Sequence, residues 1–170
     1  MNALKFASSL GRLGTESAFV VLARAQALAA KGKEIINLGI GQPDFRTPEH
    51  IVQAGIRALE GGHHGYTPGN GILELREAVA ADIFKRHKVN INPDQVVIVP
   101  GGKVTMWHCI LMFGGKGKEI LYPNPGFPIY ESAIKFSGAK AIPIPLLEET
   151  NFSFDPEKTI SSINENTSLI

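Results

Sequence analysis

Short apolar runs alternate with glycine- or proline-containing turns and helical segments from residue 96 to the end of the sequence. A short apolar run bounded by turn residues is typical of a strand buried on both faces. Strands that alternate with helices in this way form βαβ units and a largely parallel sheet. The predicted strands are 96–99, 119–122, 141–144 and 167–170, and the predicted helices cover 104–113, 127–137 and 156–163. The predicted fold class is therefore α/β.

The first half of the sequence is predicted to be mainly helical. The predicted helices cover 15–31, 48–60 and 72–87, and a short strand is predicted at 34–38. Thr15 and Thr47 precede the first two helices and have the hydroxyl group that an N-cap needs. The third helix has a mostly apolar face that also includes Arg76. The segment 61–71 contains five glycines and one proline, and it is predicted to be a loop.

Composition and charge exclude several classes of protein. The 170 residues include 17 Lys and Arg against 16 Asp and Glu, which gives a formal net charge of +1, and 44% are hydrophobic. These values exclude intrinsic disorder and argue against nucleic acid or a membrane surface as a partner held by charge. No apolar run reaches the roughly 18 residues that a transmembrane helix needs. Because the one cysteine cannot form an internal disulfide, we expect a cytoplasmic protein.

The strongest local signal for a binding site is the predicted strand at 96–99, which leads through Pro100-Gly101-Gly102-Lys103 into a helix. A helix N-terminus offers backbone N–H groups and the positive end of the helix dipole to an anion, most often a phosphate. Glycine at 101 and 102 would let the backbone approach that phosphate closely. The alternative is a tight turn with nothing bound, since neither the Walker A nor the GxGxxG pattern is present.

Phe127 follows the next predicted strand, at the same edge of the predicted sheet. The loops at the carboxyl ends of parallel strands open on one side of the sheet, where ligands bind. An aromatic ring there can stack on a flat heterocycle, and the alternative is a core phenylalanine at the start of the helix. The histidines have no metal-ligand spacing, so no metal site is predicted.

Four segments in this order and spacing resemble the class I and II aminotransferases, which are fold-type-I pyridoxal-phosphate enzymes of the aspartate aminotransferase family. The segments are NLGIGQPDFRTPEHI at 37–51, GYTPGNGILELREAVA at 65–80, VVIVPGGK at 96–103 and EILYPNPGFPIYESAIKFSGA at 119–139. The resemblance implies part of a large domain, with a mostly parallel sheet and flanking helices, preceded by a helical arm of the small domain. It places the arm at residues 1–45 and the truncated, cofactor-binding large domain at 46–170.

The resemblance also implies how individual residues contact pyridoxal 5′-phosphate. The turn that matches Gly101, Gly102 and Lys103 binds the cofactor phosphate through backbone amides, and the Lys103 side chain is interpreted as part of the helix start. The aromatic residue that matches Phe127 stacks on the pyridine ring. The tyrosine that matches Tyr66 reaches the phosphate in the neighbouring subunit, which implies a homodimer for the full-length protein.

The substrates implied by the resemblance are an amino acid and a 2-oxo acid. The glycine that matches Gly41 lies against the substrate carboxylate through its backbone, and Ile40 beside it would line the substrate pocket.

The resemblance assigns no catalytic residue to this chain. In the family, a lysine forms a Schiff base, an aspartate pairs with the pyridine nitrogen and an arginine binds the substrate carboxylate. All three come after a motif that would follow Ile170, so the chain is expected to be an N-terminal fragment. The lysines at 103, 116, 118, 135 and 140 are not expected to replace the Schiff-base lysine. Another fold-type-I enzyme, such as a lyase, synthase or decarboxylase, and a non-catalytic truncated chain are the alternatives.

We expect the 170-residue chain by itself to catalyse no amino transfer, because the Schiff-base lysine is not among its matched residues. An assay of amino acids with 2-oxoglutarate, compared with a blank without protein, measures this. Turnover above the blank would contradict the expectation.

Overall fold

The computed structural model describes residues 5–14, 17–39, 41 and 43–170, and the chain divides into two units. The first unit combines residues 1–40 with 103–170, and the second covers residues 41–102. The helices are α1 (Ser17–Ala29), α2 (Glu49–Glu60), α3 (Leu73–His87), α4 (Gly102–Phe113), α5 (Ile129–Ser137) and α6 (Pro156–Ser161). The strands are β1 (Glu119–Asn124), β2 (Lys140–Pro145) and β3 (Thr167–Leu169).

The three strands form one parallel sheet in the order β2-β1-β3, which confirms the predicted α/β class. The pairing of β1 with β2 runs from Glu119 opposite Lys140 to Asn124 opposite Pro145. Consecutive residues of a strand point to opposite faces, and both Ile120 and Leu121 of the central strand are buried. Burial on both faces is the pattern that the apolar run in the sequence predicts.

The core of the first unit lies between α4, α5 and the sheet. Its buried residues are Ile110, Ile120, Ala133, Ile134 and Ala139. Trp107 packs against this cluster, and its ring lies 5.0 Å from that of Phe136. The core therefore packs α4 and α5 against the central strand.

Local signals in the sequence explain where α5 ends and where α6 begins. Gly138 follows α5 in the left-handed conformation, with φ +91°, as a C-cap glycine does. The Asp155 carboxylate accepts hydrogen bonds from the N–H groups of Glu157 and Lys158, and Pro156 occupies the first position of α6. Both ends agree with the residue types that sequence analysis uses as helix boundaries.

The N-terminal segment of the first unit is anchored on α5. The Arg12 guanidinium donates to the carbonyl oxygens of Lys135 and Phe136, at 2.9 and 3.0 Å. The Gly14 N–H donates to the Ser132 hydroxyl at 2.8 Å. The last carbonyls of a helix have no partners within it; here the Arg12 guanidinium donates to that of Phe136 and shares that of Lys135 with the Gly138 N–H.

Two predicted strands are wrong, because residues 34–38 and 96–99 form no strand. Ile36 and Leu38 are exposed, and so is Val97. The Val96 N–H donates to the Pro93 carbonyl oxygen and the Ile98 N–H to that of Asn70, which are turn and loop contacts and not a ladder. A strand exists only where a neighbouring strand accepts its hydrogen bonds, and the apolar pattern alone does not supply that neighbour.

The predicted N-cap Thr47 is also wrong. Pro48 takes the cap position in an extended conformation, and its carbonyl oxygen accepts from the N–H groups of Ile51 and Val52. With ψ at +136°, Pro48 is not helical, so α2 begins at Glu49, one residue later than the sequence pattern predicts. The other predicted N-cap, Thr15, lies outside the described residues.

Polar contacts at the amino end of the sheet involve Glu119. Its carboxylate accepts hydrogen bonds from the Lys140 ammonium and the Asn164 side-chain amide, each at 2.8 Å. The hydrogen bond from Lys140, followed by that from Asn164, holds the pKa of Glu119 below its ordinary value, against a smaller opposing effect of desolvation. Glu119 therefore links β1 to β2 and to the turn before β3.

We predict that Glu119 makes the stability of the first unit depend on pH in the acidic range. A carboxyl group whose pKa is lower in the folded state stabilises the protein fully above its unfolded pKa, and that contribution is lost as the pH falls through the folded pKa. Glu119→Gln should be less stable than the wild type at neutral pH and should lose less stability on acidification to about pH 3. Urea unfolding followed by Trp107 fluorescence measures both effects.

The matched control is Glu131→Gln, which removes a carboxylate paired with Lys135 on the exposed surface of α5. An exposed ion pair four residues apart on a helix contributes little to stability. An equal loss of stability on acidification in the wild type and in Glu119→Gln would contradict the prediction.

Candidate functional site

The glycine turn before α4 has one glycine in the left-handed conformation and open space beside it. Gly101 adopts φ +89°, and α4 begins at Gly102. Nothing lies within 4 Å of a Cβ built on Gly101 or on Gly102, so the space beside the turn is open. The Gly101 N–H donates to the Val99 carbonyl oxygen at 2.9 Å, which closes the turn. An open glycine turn that ends at a helix N-terminus can bind an anion through backbone N–H groups.

Phe127 and Lys103 contact each other in the first unit. The Lys103 ammonium lies 5.1 Å from the centroid of the Phe127 ring and 5.7 Å from that of Phe19, within the range of a cation–π interaction. Phe127 follows the carboxyl end of β1 and is 39% exposed, and its ring meets Tyr130 edge to face at 5.9 Å. Phe127 is therefore not a fully buried core residue, and it retains exposed surface at the ligand-binding edge of a parallel sheet.

A groove of about 390 Å³ lies beside Lys103 in the first unit. Trp107 and His108 of α4 line it together with Leu13 and Ser132. The His108 ring nitrogen Nδ1 is 2.8 Å from the Val104 carbonyl oxygen, which fixes the orientation of the imidazole. The sequence alone does not reveal Trp107, His108 or Ser132 as groove residues, because the N-terminal segment that completes the groove is far from them in the chain.

The remaining predicted site residues belong to the second unit or lie outside the described residues. Tyr66 is fully exposed in the 61–71 loop, and Gly41 is exposed as well. Gly101 and Gly102 are in the same unit as Tyr66, whereas Lys103 and Phe127 are in the first unit. Ile40 lies outside the described residues.

Among the described residues, no three His, Cys, Asp or Glu side chains are grouped so that they could bind a metal ion. In the same part of the chain, no helix is long and apolar enough to cross a membrane.

Two contacts near the predicted site were missed at the level of sequence. One is the stacking of the Lys103 ammonium on Phe127, since Lys103 was interpreted only as a residue of the helix start. The other is the burial of Arg76 in α3, where it bonds to backbone carbonyls of the second unit. The signal for Arg76 was present, because a charged residue on an apolar helix face needs polar partners when it is buried.

Comparison with known proteins identifies the family. The model of the family described as aminotransferase class I and II matches residues 33–170. The aspartate aminotransferase of Bacillus subtilis is 30% identical over 167 residues, which are 98% of this chain and 42% of that protein. The aspartate aminotransferase of Pyrococcus horikoshii is 39% identical over 142 residues, which are 84% of this chain and 36% of that protein. The chain thus spans about two fifths of the length of these relatives.

Solved structures agree with the sequence comparison. A structure of the aspartate aminotransferase from Thermus thermophilus with maleate superimposes with a TM-score of 0.89 at 28% identity, over 97% of this chain and 43% of that one. An alanine aminotransferase from Pyrococcus furiosus gives a TM-score of 0.88, also at 28% identity, over 96% of this chain and 42% of that one. With the family model matching most of the sequence, this chain belongs to the class I and II aminotransferase family.

Proposed function

We propose that this protein takes part in amino transfer between an amino acid and a 2-oxo acid, as an aspartate-aminotransferase-like enzyme that uses pyridoxal 5′-phosphate. The observation that carries the proposal is the open glycine turn at the start of α4, where Gly101 has a positive φ. Family membership supports the cofactor, and the exposed surface of Phe127 supports its place at the carboxyl edge of the sheet.

The glycine turn fits the phosphate group of the cofactor. No atom occupies the space where a Cβ of Gly101 or Gly102 would lie, so a phosphate oxygen could approach the backbone there. The N-terminus of α4, which has 12 residues, adds the positive end of a helix dipole. The backbone N–H groups of Gly102 and Lys103 would hold the phosphate, and Gly101, whose own N–H donates to Val99, would shape the turn around it.

Phe127 fits the pyridine ring, because part of its surface is exposed and aromatic rings stack on flat heterocycles. The Lys103 ammonium already lies against Phe127, so the residue after the glycine pair also helps to fix the orientation of the Phe127 ring. When bound, pyridoxal phosphate supplies the electron sink on which amino-transfer chemistry depends. The residues of this chain would hold the phosphate and orient the pyridine ring.

The proposal extends to the assembly and to the substrate. Tyr66 would reach the phosphate of the neighbouring subunit of a homodimer, which accounts for a fully exposed tyrosine in a glycine-rich loop. The Gly41 backbone would contact the substrate carboxylate, with Ile40 beside it. The N-terminal arm would cover residues 1–45 and the large-domain segment 46–170, in a cytoplasmic protein.

Cofactor binding and amino transfer test the proposal separately. Pyridoxamine 5′-phosphate is the binding probe, because it has no aldehyde and cannot attach to surface lysines. Calorimetric titration should give saturable binding that is tighter for pyridoxamine phosphate than for pyridoxamine. Amino transfer from aspartate to 2-oxoglutarate is assayed with the protein as its gene encodes it, and with this chain alone as the comparison. No preference for the phosphorylated probe would refute the proposed phosphate site.

We predict that Gly101→Ala weakens the binding of pyridoxamine phosphate about tenfold and leaves the affinity for pyridoxamine unchanged. A side chain at positive φ costs about 1–2 kcal/mol, so the turn would relax away from the conformation that binds phosphate. Gly117→Ala is the matched control, because Gly117 also has a positive φ and open space but lies before the amino end of β1. An equal loss of affinity in both variants would contradict the prediction.

We predict that Phe127→Leu weakens the binding of pyridoxamine and of its phosphate by the same factor, about three- to tenfold. An aromatic stacking contact contributes about 0.5–1.5 kcal/mol beyond the area that it buries, and leucine has no ring. Phe127→Tyr should keep the affinity of the wild type. Phe113→Leu, at the half-exposed end of α4, is the control for a lost surface ring. Unchanged affinity for both probes in Phe127→Leu would remove Phe127 from the proposed site.

A further inference from the structure

Arg76 is a buried charged residue of the second unit to which the proposed function assigns no role. It lies in α3 and is 7% exposed. A buried guanidinium must be hydrogen-bonded, because removing an unpaired charge from water costs far more than burying an apolar side chain yields. The partners of Arg76 therefore indicate what its burial achieves.

Three hydrogen bonds connect the Arg76 guanidinium to two segments outside α3. Nε donates to the Gly71 carbonyl oxygen at 3.2 Å, and Nη1 donates to the Pro93 carbonyl oxygen at 3.0 Å. Nη1 also lies 3.0 Å from Oδ1 of Asp94, whose side chain is 81% exposed. An ion pair with such an exposed partner contributes little, so the two backbone carbonyls are the main partners.

Both carbonyls belong to segments that contain proposed cofactor residues. Gly71 is the last residue of the 61–71 loop, which contains Tyr66. Pro93 begins the short 3-10 turn from which the chain runs on to Gly101 and Gly102. Arg76 is thus bonded to the end of one segment and to the start of the other.

Ile98 joins the same two segments a second time. Its N–H donates to the Asn70 carbonyl oxygen at 3.0 Å. Gly71 has φ +96°, and a Cβ built on it would lie 2.6 Å from Cγ1 of Ile98, so only glycine allows this approach. Together with Arg76, these contacts hold the loop against the 93–102 segment three residues before Gly101.

We propose that Arg76 is a positioning residue, which sets the loop that carries Tyr66 relative to the segment that ends at Gly101-Gly102. The inference rests on the proposed function, because it concerns the phosphate contacts of that site. In the proposed homodimer, Gly101 and Gly102 contact the phosphate of the subunit's own cofactor, and Tyr66 contacts the phosphate of the neighbouring subunit's cofactor. One arginine would then orient the phosphate contacts of two cofactor sites.

Arginine is the residue type that this geometry requires. Its planar guanidinium donates from Nε and Nη1 in fixed and different directions, toward Gly71 and toward Pro93. A lysine ammonium is a compact group on a flexible stem and has no such fixed fork. Arg76→Lys keeps the charge and removes the geometry, which makes it the most informative variant.

The experiment measures the phosphate preference, defined as the dissociation constant of pyridoxamine divided by that of pyridoxamine phosphate. It uses the full-length protein as its gene encodes it. Arg76→Lys should lower the preference about tenfold, which corresponds to the lower end of what one hydrogen bond of a charged donor contributes. The affinity for pyridoxamine should stay unchanged. Arg86→Lys is the matched control, because Arg86 lies on the same helix, exposed and paired with Asp82.

Arg76→Gln and Asp94→Asn are measured beside these variants, since Arg76→Lys buries an ammonium and can unfold the unit. Arg76→Gln is neutral and keeps one donor group, so it should also lower the preference. Asp94→Asn removes only the exposed ion pair and should change the preference by no more than about twofold.

The outcomes separate this inference from the proposed function. A lower melting temperature with an unchanged phosphate preference in the folded Arg76 variants would mean a purely structural role and would overturn the inference alone. A wild-type protein without phosphate preference would overturn the proposed function, and with it the inference. An equal loss of preference in Arg86→Lys would also overturn the assignment to Arg76.

Discussion

Parallel pairing of β1 with both of its neighbours is the constraint on which the first unit depends. A parallel strand can return to its neighbour only through a crossover, which here is formed by α5 between β1 and β2. The helices then cover the sheet, and the central strand is buried on both faces at Ile120 and Leu121. The same connectivity brings the carboxyl ends of the strands to one edge, and Phe127 follows the end of β1 there. The position of the Phe127 ring thus follows from the topology of the parallel sheet and not from a local motif.

Backbone conformation, more than side-chain chemistry, defines the proposed phosphate site. Gly101 is in a region of φ that other residues avoid, and the turn that it forms leads directly into α4. The donors are N–H groups, which are present in every residue except proline. Glycine is therefore needed here for the conformation of the turn and not for its hydrogen-bond donors. The Lys103 side chain contributes through orientation as well, because its ammonium lies over the Phe127 ring and holds that aromatic surface in place.

The features that could be predicted from the sequence are those that depend on local interactions. The end of α5 follows from Gly138, and the start of α6 follows from Asp155 and Pro156, because capping involves residues close in the chain. The runs at 34–38 and 96–99 have the same apolar character as β1 but form no strand, since strand pairing depends on a distant partner. The glycine turn and Phe127 could be identified as candidates from their position after apolar runs. Their roles toward a cofactor come from the family resemblance and stay predictions.

The hydrogen-bond partners of Arg76 could not be predicted, because they depend on how separate segments of the chain come together. The presence of Arg76 on an apolar helix face was visible in the sequence. An apolar side chain could fill the same volume, but it would have no donors for the carbonyl oxygens of Gly71 and Pro93. Apolar packing depends weakly on direction, whereas a hydrogen bond weakens steeply as its angle departs from linear. A guanidinium between two backbone segments therefore fixes their orientation as well as their distance. Orientation is what a phosphate site made of backbone amides requires, because no amide can turn toward the ligand without moving the chain on both sides of it.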